Sequence, residues 1–241
     1  MFPFFLSPAR MGGSAGHAAA AVARCALARS AVCALLLLVG MLPAAQGQTQ
    51  ARGAPDHAQR LQQATTDPAL EAKLLRAGRT TAAVCAYCHG EGGNSTKPDV
   101  PNLAGQNPAY LLEQVHQFAD GRRKNEFMQG MIKALKDDEK VGVVMYFSRQ
   151  QVLPHSGGPA TLVAQGKAYY ERTCFRCHGA DGLGNEAVAR IAGQQVEYLT
   201  QTLKRYRSGS GGRINPLMAA NTKLMTDADI QAVVAYVASM P

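Results

Sequence analysis

Period-two alternation is missing from this 241-residue chain: no segment alternates apolar and polar residues convincingly over the length of a strand, so an all-α fold is expected. A hydrophobic run long enough for a comfortable membrane span is missing too. The apolar stretch Ala31–Val39 is too short for that role. With Arg24 and Arg29 ahead of it and the small residues Ala44, Ala45 and Gly47 behind it, it reads as a secretory signal occupying residues 1–47. Strong net charge is also lacking. Of the formal +8, Arg10, Arg24 and Arg29 account for three, which leaves +5 on the exported part and gives no concentrated positive field of the kind that nucleic acid binders use.

Cysteine is scarce once the signal is removed, because Cys25 and Cys33 go with it and only Cys85, Cys88, Cys174 and Cys177 stay. A remaining chain of about 190 residues builds ordinary cores without disulfide staples. A thioredoxin-like redox dithiol would need a βαβ context, which the helical pattern does not offer. Zinc would need further ligands at suitable spacing, and beyond the two histidines that follow the cysteine pairs only His57, His116 and His155 remain, none of them repeated.

What the chain does contain is one unit written twice. Cys85-x-x-Cys88-His89-Gly90 matches Cys174-x-x-Cys177-His178-Gly179. Leu103-Ala104-Gly105-Gln106 matches Ile191-Ala192-Gly193-Gln194, Tyr110-Leu111 matches Tyr198-Leu199, and Tyr146 matches Tyr236. The offset drifts only between 88 and 90 residues, which sets the domain organisation. Residues 48–66 show no sustained apolar period and are expected to form a loose leader. The first domain then covers 67–149, the Pro/Gly-punctuated stretch 150–160 is a linker, and the second domain covers 161–241. Within each copy Leu111, Val115 and Phe118, or Leu199, Leu203 and Tyr206, recur at helical spacing and mark one buried face. Asn107-Pro108 reads as an N-cap followed by proline in the first helical position, and Thr226 to Asp229 as a capping box opening the last helix.

Two cysteines three apart on a helix present their thiols about one turn apart, with a histidine directly beside them. That pattern suits a flat macrocycle held by two thioether bonds, with the imidazole reaching its iron from one face. Two such motifs call for two covalently bound haem c groups, with Cys85, Cys88, Cys174 and Cys177 as attachment points and His89 and His178 as iron ligands. The register selects the sixth ligand. Met128 falls opposite Met218, whereas Met131, Met145, Met225 and Met240 face other residue types and read as core fillers or unrelated positions. Histidine and methionine together leave no open iron position, so outer-sphere transfer of single electrons is the expected task, not catalysis.

These residues resemble the cytochrome c4 family of dihaem class I cytochromes c, from about Arg76 to Met240. The likeness includes Pro101-Asn102-Leu103-Ala104-Gly105-Gln106 and the Asn125-to-Met131 segment as well as the paired cysteines. It implies two tandem class I cytochrome c domains, each wrapping one haem, in a periplasmic carrier that passes electrons between respiratory-chain components towards a terminal oxidase. The implied partners are redox proteins: a membrane oxidase as acceptor and a quinol-oxidising complex or dehydrogenase as donor, with peripheral membrane association left open. The alternative is a dihaem electron-accepting subunit of a dehydrogenase such as a flavocytochrome.

The resemblance also implies a helix crossing in which Gly78 meets Tyr146 and Gly166 meets Tyr170 and Tyr236, and it gives the carbonyl of Pro101 the role of orienting His89. Ala189 stands at the equivalent place in the second copy, where looser geometry about His178 is expected. Arg122, Arg123 and Lys124, with Lys204, Arg205, Arg207 and Arg213 in the other copy, read as solvated faces that also neutralise haem propionates or dock an acidic partner.

Overall fold

The computed structural model describes residues 56–153 and 158–241. The expected signal at 1–47, residues 48–55 of the expected leader and 154–157 of the expected linker lie outside the described residues. Among the described residues there are helices and no strands, in agreement with an all-α fold. Each repeat uses the same framework. The helix that carries or leads into the motif packs against the last helix of its own repeat, and two further helices close the side.

In the first repeat these elements are α1 (His57–Gln63), α2 (Pro68–His89), α3 (Pro108–Asp120), α4 (Glu126–Ala134) and α5 (Asp137–Ser148). In the second they are α6 (Ala160–Thr173), α7 (Phe175–His178), α8 (Val196–Ser208), α9 (Pro216–Thr222) and α10 (Asp227–Ala238). Helices α6 and α7 together take the place of α2. The helix is interrupted at Cys174, yet Cys174 keeps right-handed helical dihedrals, and its carbonyl accepts the His178 N–H at 3.1 Å, so the thiols and imidazole stay in helical register. Both histidine-bearing helices stop at a glycine with positive φ, Gly90 at 78° and Gly179 at 80°, a conformation that side-chain-bearing residues avoid.

The predicted helical faces are buried. Leu111, Val115 and Phe118 join Leu112, Ile132, Val143, Val144 and Phe147 in one core, while Leu199, Met225, Ile230, Val233, Val234 and Val237 form the other, with Leu203 packed partly buried against it. Thr226 and Asp229 make the reciprocal capping box at the start of α10.

The part of the leader from His57 to Gln63 is not loose: it is α1. Asp56 caps it by accepting the Gln59 N–H at 3.0 Å, Leu61 packs into the first core, and Arg60 pairs with Asp138 of α5 at 2.6 Å. His57 bridges His116 of α3 and Asp137 of α5, with both contacts at 3.0 Å. A seven-residue helix has too little intrinsic stability to stand alone, so it depends on these distant contacts, which no apolar period announces.

At the helix crossing of the first repeat the nearest approach is between backbones. A Cβ on Gly78 would lie 2.0 Å from the carbonyl oxygen of Gly142, one turn before Tyr146, so backbone meets backbone there. In the second repeat a Cβ on Gly166 would lie 1.9 Å from the Ala232 carbonyl oxygen and 2.8 Å from Tyr236 Cβ, and Tyr170 packs edge-on against Tyr236 with ring centroids 5.4 Å apart. Because the obstructing atoms are backbone, a side chain here must push the two helices apart. Gly142→Val should therefore destabilise the first domain by about 1–3 kcal/mol, read as a lower denaturant midpoint for that domain. An unchanged midpoint would contradict the crossing.

Candidate haem sites

His89 is the last residue of α2 and His178 the last of α7, and both are buried. Each ring hydrogen-bonds a backbone carbonyl through Nδ1: His89 to Pro101 at 2.9 Å and His178 to Ala189 at 2.9 Å. A carbonyl only accepts, so Nδ1 carries the proton in both rings and Nε2 keeps its lone pair. Burial holds both imidazoles below the usual histidine pKa, partly offset by the carbonyl bond, and so favours the neutral ligand form. The looser geometry expected at Ala189 is not present. A backbone carbonyl is placed by the loop path, and the path is the same in both repeats: Leu103 and Ile191 donate to Gly93 and Gly182 at 2.7 and 2.8 Å.

None of the four motif cysteines is paired in a disulfide. Burial pushes Cys85 up, and takes Cys174 up to about 11, so these sulfurs favour the protonated form that a reactive redox dithiol would avoid. Among the described residues no three His, Cys, Asp or Glu side chains converge as a metal cage. The donor set fits haem better: in each repeat two thiols in helical register lie beside a neutral imidazole with an oriented lone pair.

Met128 and Met218 occupy matching places. Met128 lies in the first turn of α4, where its N–H donates to the Asn125 side chain at 3.0 Å; Met218 lies in the first turn of α9, where its N–H donates to the Asn215 side chain, also at 3.0 Å. Both are partly exposed, and Met128 borders the same core as Cys85. Met145, Met225 and Met240 are buried in core packing, which explains why they do not recur in register. Met131 is partly exposed and unmatched.

The basic residues divide into two groups. Arg122 pairs with Glu113 and Asp120, and Arg207 and Lys204 pair with Asp227, as solvated faces do. Arg123 and Arg213 instead turn inward from different repeats and both reach the Tyr198 hydroxyl, at 3.2 and 3.1 Å, while Arg213 also approaches Tyr110. Burial opposes ionisation of Tyr198, but the two guanidinium groups outweigh it and pull its pKa down. Neither arginine forms a carboxylate ion pair among the described residues, so this cluster is suited to an anion such as a haem propionate. Sequence spacing did not single out this pair, because its members approach only across the two repeats.

The caps predict a measurable effect at the methionine helices. Asn215→Ala removes the only side-chain cap of the seven-residue α9 and should cost about 1 kcal/mol of second-domain stability in thermal denaturation, whereas an effect near zero would show that the cap is dispensable.

The comparisons with known proteins agree with this geometry. The family described as Cytochrome c matches residues 163–241, and the family described as Cytochrome C oxidase, cbb3-type, subunit III matches residues 72–147. Cytochrome c4 of Pseudomonas aeruginosa is 33% identical over 175 residues, covering 67% of this chain and 86% of the relative. A thiosulfate dehydrogenase electron acceptor of Thiomonas intermedia is 35% identical, covering 66% of this chain and 80% of that protein. The crystal structure of reduced recombinant cytochrome c4 from Pseudomonas stutzeri superposes with a TM-score of 0.64 at 29% identity, covering 69% of this chain and 98% of that one. Two cytochrome c domains, two covalently bound haem c groups and relatives of this similarity place the chain in the cytochrome c4 family of dihaem electron carriers.

Proposed function

We propose that this dihaem carrier works in the periplasm, accepting single electrons from a quinol-oxidising complex or dehydrogenase and delivering them towards a terminal oxidase. The carrying observation is that both repeats present the same arrangement: a helical thiol pair, a carbonyl-oriented histidine and an Asn-capped helix with a methionine in its first turn. In this reading Cys85, Cys88, Cys174 and Cys177 form the thioether bonds, His89 and Met128 hold one iron, and His178 and Met218 hold the other. Each attached haem supplies a one-electron Fe(III)/Fe(II) couple. The methionine sulfur, soft and neutral, raises that couple relative to a second imidazole, and the pair of side chains excludes substrate from the metal. The signal at residues 1–47 supports export, with peripheral membrane association compatible with a soluble carrier that visits membrane partners.

A second reading is supported by the similarity to the Thiomonas intermedia protein: the chain serves as the dedicated electron acceptor of one dehydrogenase. The two readings separate on haem staining of native periplasmic and detergent-solubilised membrane fractions after size separation. Migration alone, at about the size of the exported chain, is expected for the carrier; stable comigration with a larger dehydrogenase would replace that reading with the second.

Axial ligation has its own test. Reduced wild-type holoprotein should not bind carbon monoxide at neutral pH, whereas Met128→Ala and Met218→Ala should each open one haem to it. Met218→His should lower the second potential by a fraction of the ~0.8 V range that axial ligation spans. Rapid stoichiometric carbon monoxide binding by the wild type would contradict methionine ligation.

A further inference from the structure

The motif histidine of each repeat depends on one loop carbonyl, and that loop is held by a side chain from the other repeat. Pro101 accepts the His89 Nδ1–H, and the next residue, Asn102, is gripped by Gln194 of the second repeat. Gln194 Oε1 accepts the Asn102 N–H at 2.7 Å, and Gln194 Nε2 donates to the Asn102 carbonyl at 3.1 Å. The mirror arrangement is complete. Ala189 accepts the His178 Nδ1–H, and the next residue, Arg190, is gripped by Gln106 of the first repeat. Gln106 Oε1 accepts the Arg190 N–H at 2.7 Å, and Gln106 Nε2 donates to the Arg190 carbonyl at 2.8 Å.

A primary amide suits this role because it donates and accepts at once, and so satisfies both backbone groups of a single residue. Both glutamines are buried, at 7% exposure each, where an unmet polar group is costly. Each is also fixed at its own end: Asn107 N–H donates to Gln106 Oε1 at 3.1 Å, and Gln195 N–H donates to Gln194 Oε1 at 2.9 Å. The preceding glycines tie each loop to its own last helix, Gly105 N–H to Phe147 at 2.9 Å and Gly193 N–H to Val237 at 3.0 Å. The rest of the seam reinforces the contact without repeating it: Gln195 donates to Ser95, and Asn107 Nδ2 reaches the carbonyls of Leu183, Asn185 and Val188.

We infer that Gln106 and Gln194 are reciprocal positioning residues, each setting the histidine hydrogen bond, and through it the potential, of the haem in the opposite repeat. The inference rests on histidine ligation of the two haems and not on the identity of donor or acceptor. A firm hydrogen bond from Nδ1 makes the imidazole a stronger donor to iron and favours the ferric state; a loosened one favours the ferrous state and raises the potential.

The test uses the holoprotein with each haem assigned by NMR and titrated separately. Gln194→Met keeps the side-chain volume and removes both hydrogen bonds to Asn102, together with the one from the Gln195 N–H. It should raise the potential of the haem bound at Cys85 and Cys88 by more than any change at the other haem, and speed solvent exchange of the His89 Nδ1 proton about tenfold. Gln106→Met should do the same to the haem at Cys174 and Cys177 and to His178. A larger shift in the variant's own repeat, equal shifts at both haems, or none, would overturn the inference. The wild type supplies an independent check against misassembled variants: the Asn102 and Arg190 amides should exchange as slowly as the helix-interior amides of α5 and α10, and rapid exchange at both would also overturn it.

Discussion

A backbone carbonyl fixes each motif histidine, and much of the surrounding architecture serves to hold that carbonyl still. Histidine Nδ1 has to be protonated to make the bond, which leaves Nε2 as the only ring nitrogen available to a metal. The carbonyl sits in a loop, where backbone has no helix or ladder to define its path. The loop is therefore anchored by hydrogen bonds from its neighbours: to Gly93 or Gly182 after the motif, to the end of α5 or α10, and to an amide side chain of the other repeat. Removal of any one leaves a buried polar group without its partner, which makes the three anchors interdependent.

The same economy explains why the two repeats are joined by polar contacts. Asn102, Gln106, Gln194, Gln195 and Ser95 are all buried at the seam between repeats, and their hydrogen bonds run largely to backbone. Apolar packing would tolerate sliding, whereas amides that satisfy single peptide groups accept one register. Such a seam favours a unique arrangement of two electron-transfer centres. It also brings Arg123 and Arg213 onto one tyrosine hydroxyl, concentrating positive charge between the repeats in a setting suited to an anionic group.

The repeats are equivalent at the histidine and methionine positions but not at the periphery. The first carries α1, a longer motif helix, and a small additional core around Leu74, Val141 and Met145. The second instead packs Tyr170 beneath Tyr236 and donates the Tyr170 hydroxyl to the Gly179 carbonyl at 2.6 Å, directly after the motif histidine. Peripheral differences of this kind give otherwise matching centres different surroundings.

Local chemistry was legible in the order of the residues. The two Cys-x-x-Cys-His motifs, the alignment of Met128 with Met218, the helical spacing of Leu111, Val115 and Phe118, and the Thr226 capping box each depend on neighbours within a few turns or on a repeat that can be read by superposition. Tertiary structure decided the rest: that α1 folds against α5, that the backbone of Gly78 meets the backbone of Gly142, that Arg123 and Arg213 turn away from solvent, and that each Leu/Ile-Ala-Gly-Gln glutamine crosses to the opposite repeat. Polar residues in loops carry the same local signature whether they face water or a buried peptide group. Which of the two they meet depends on chain brought close from scores of residues away, and no local pattern encodes that distance.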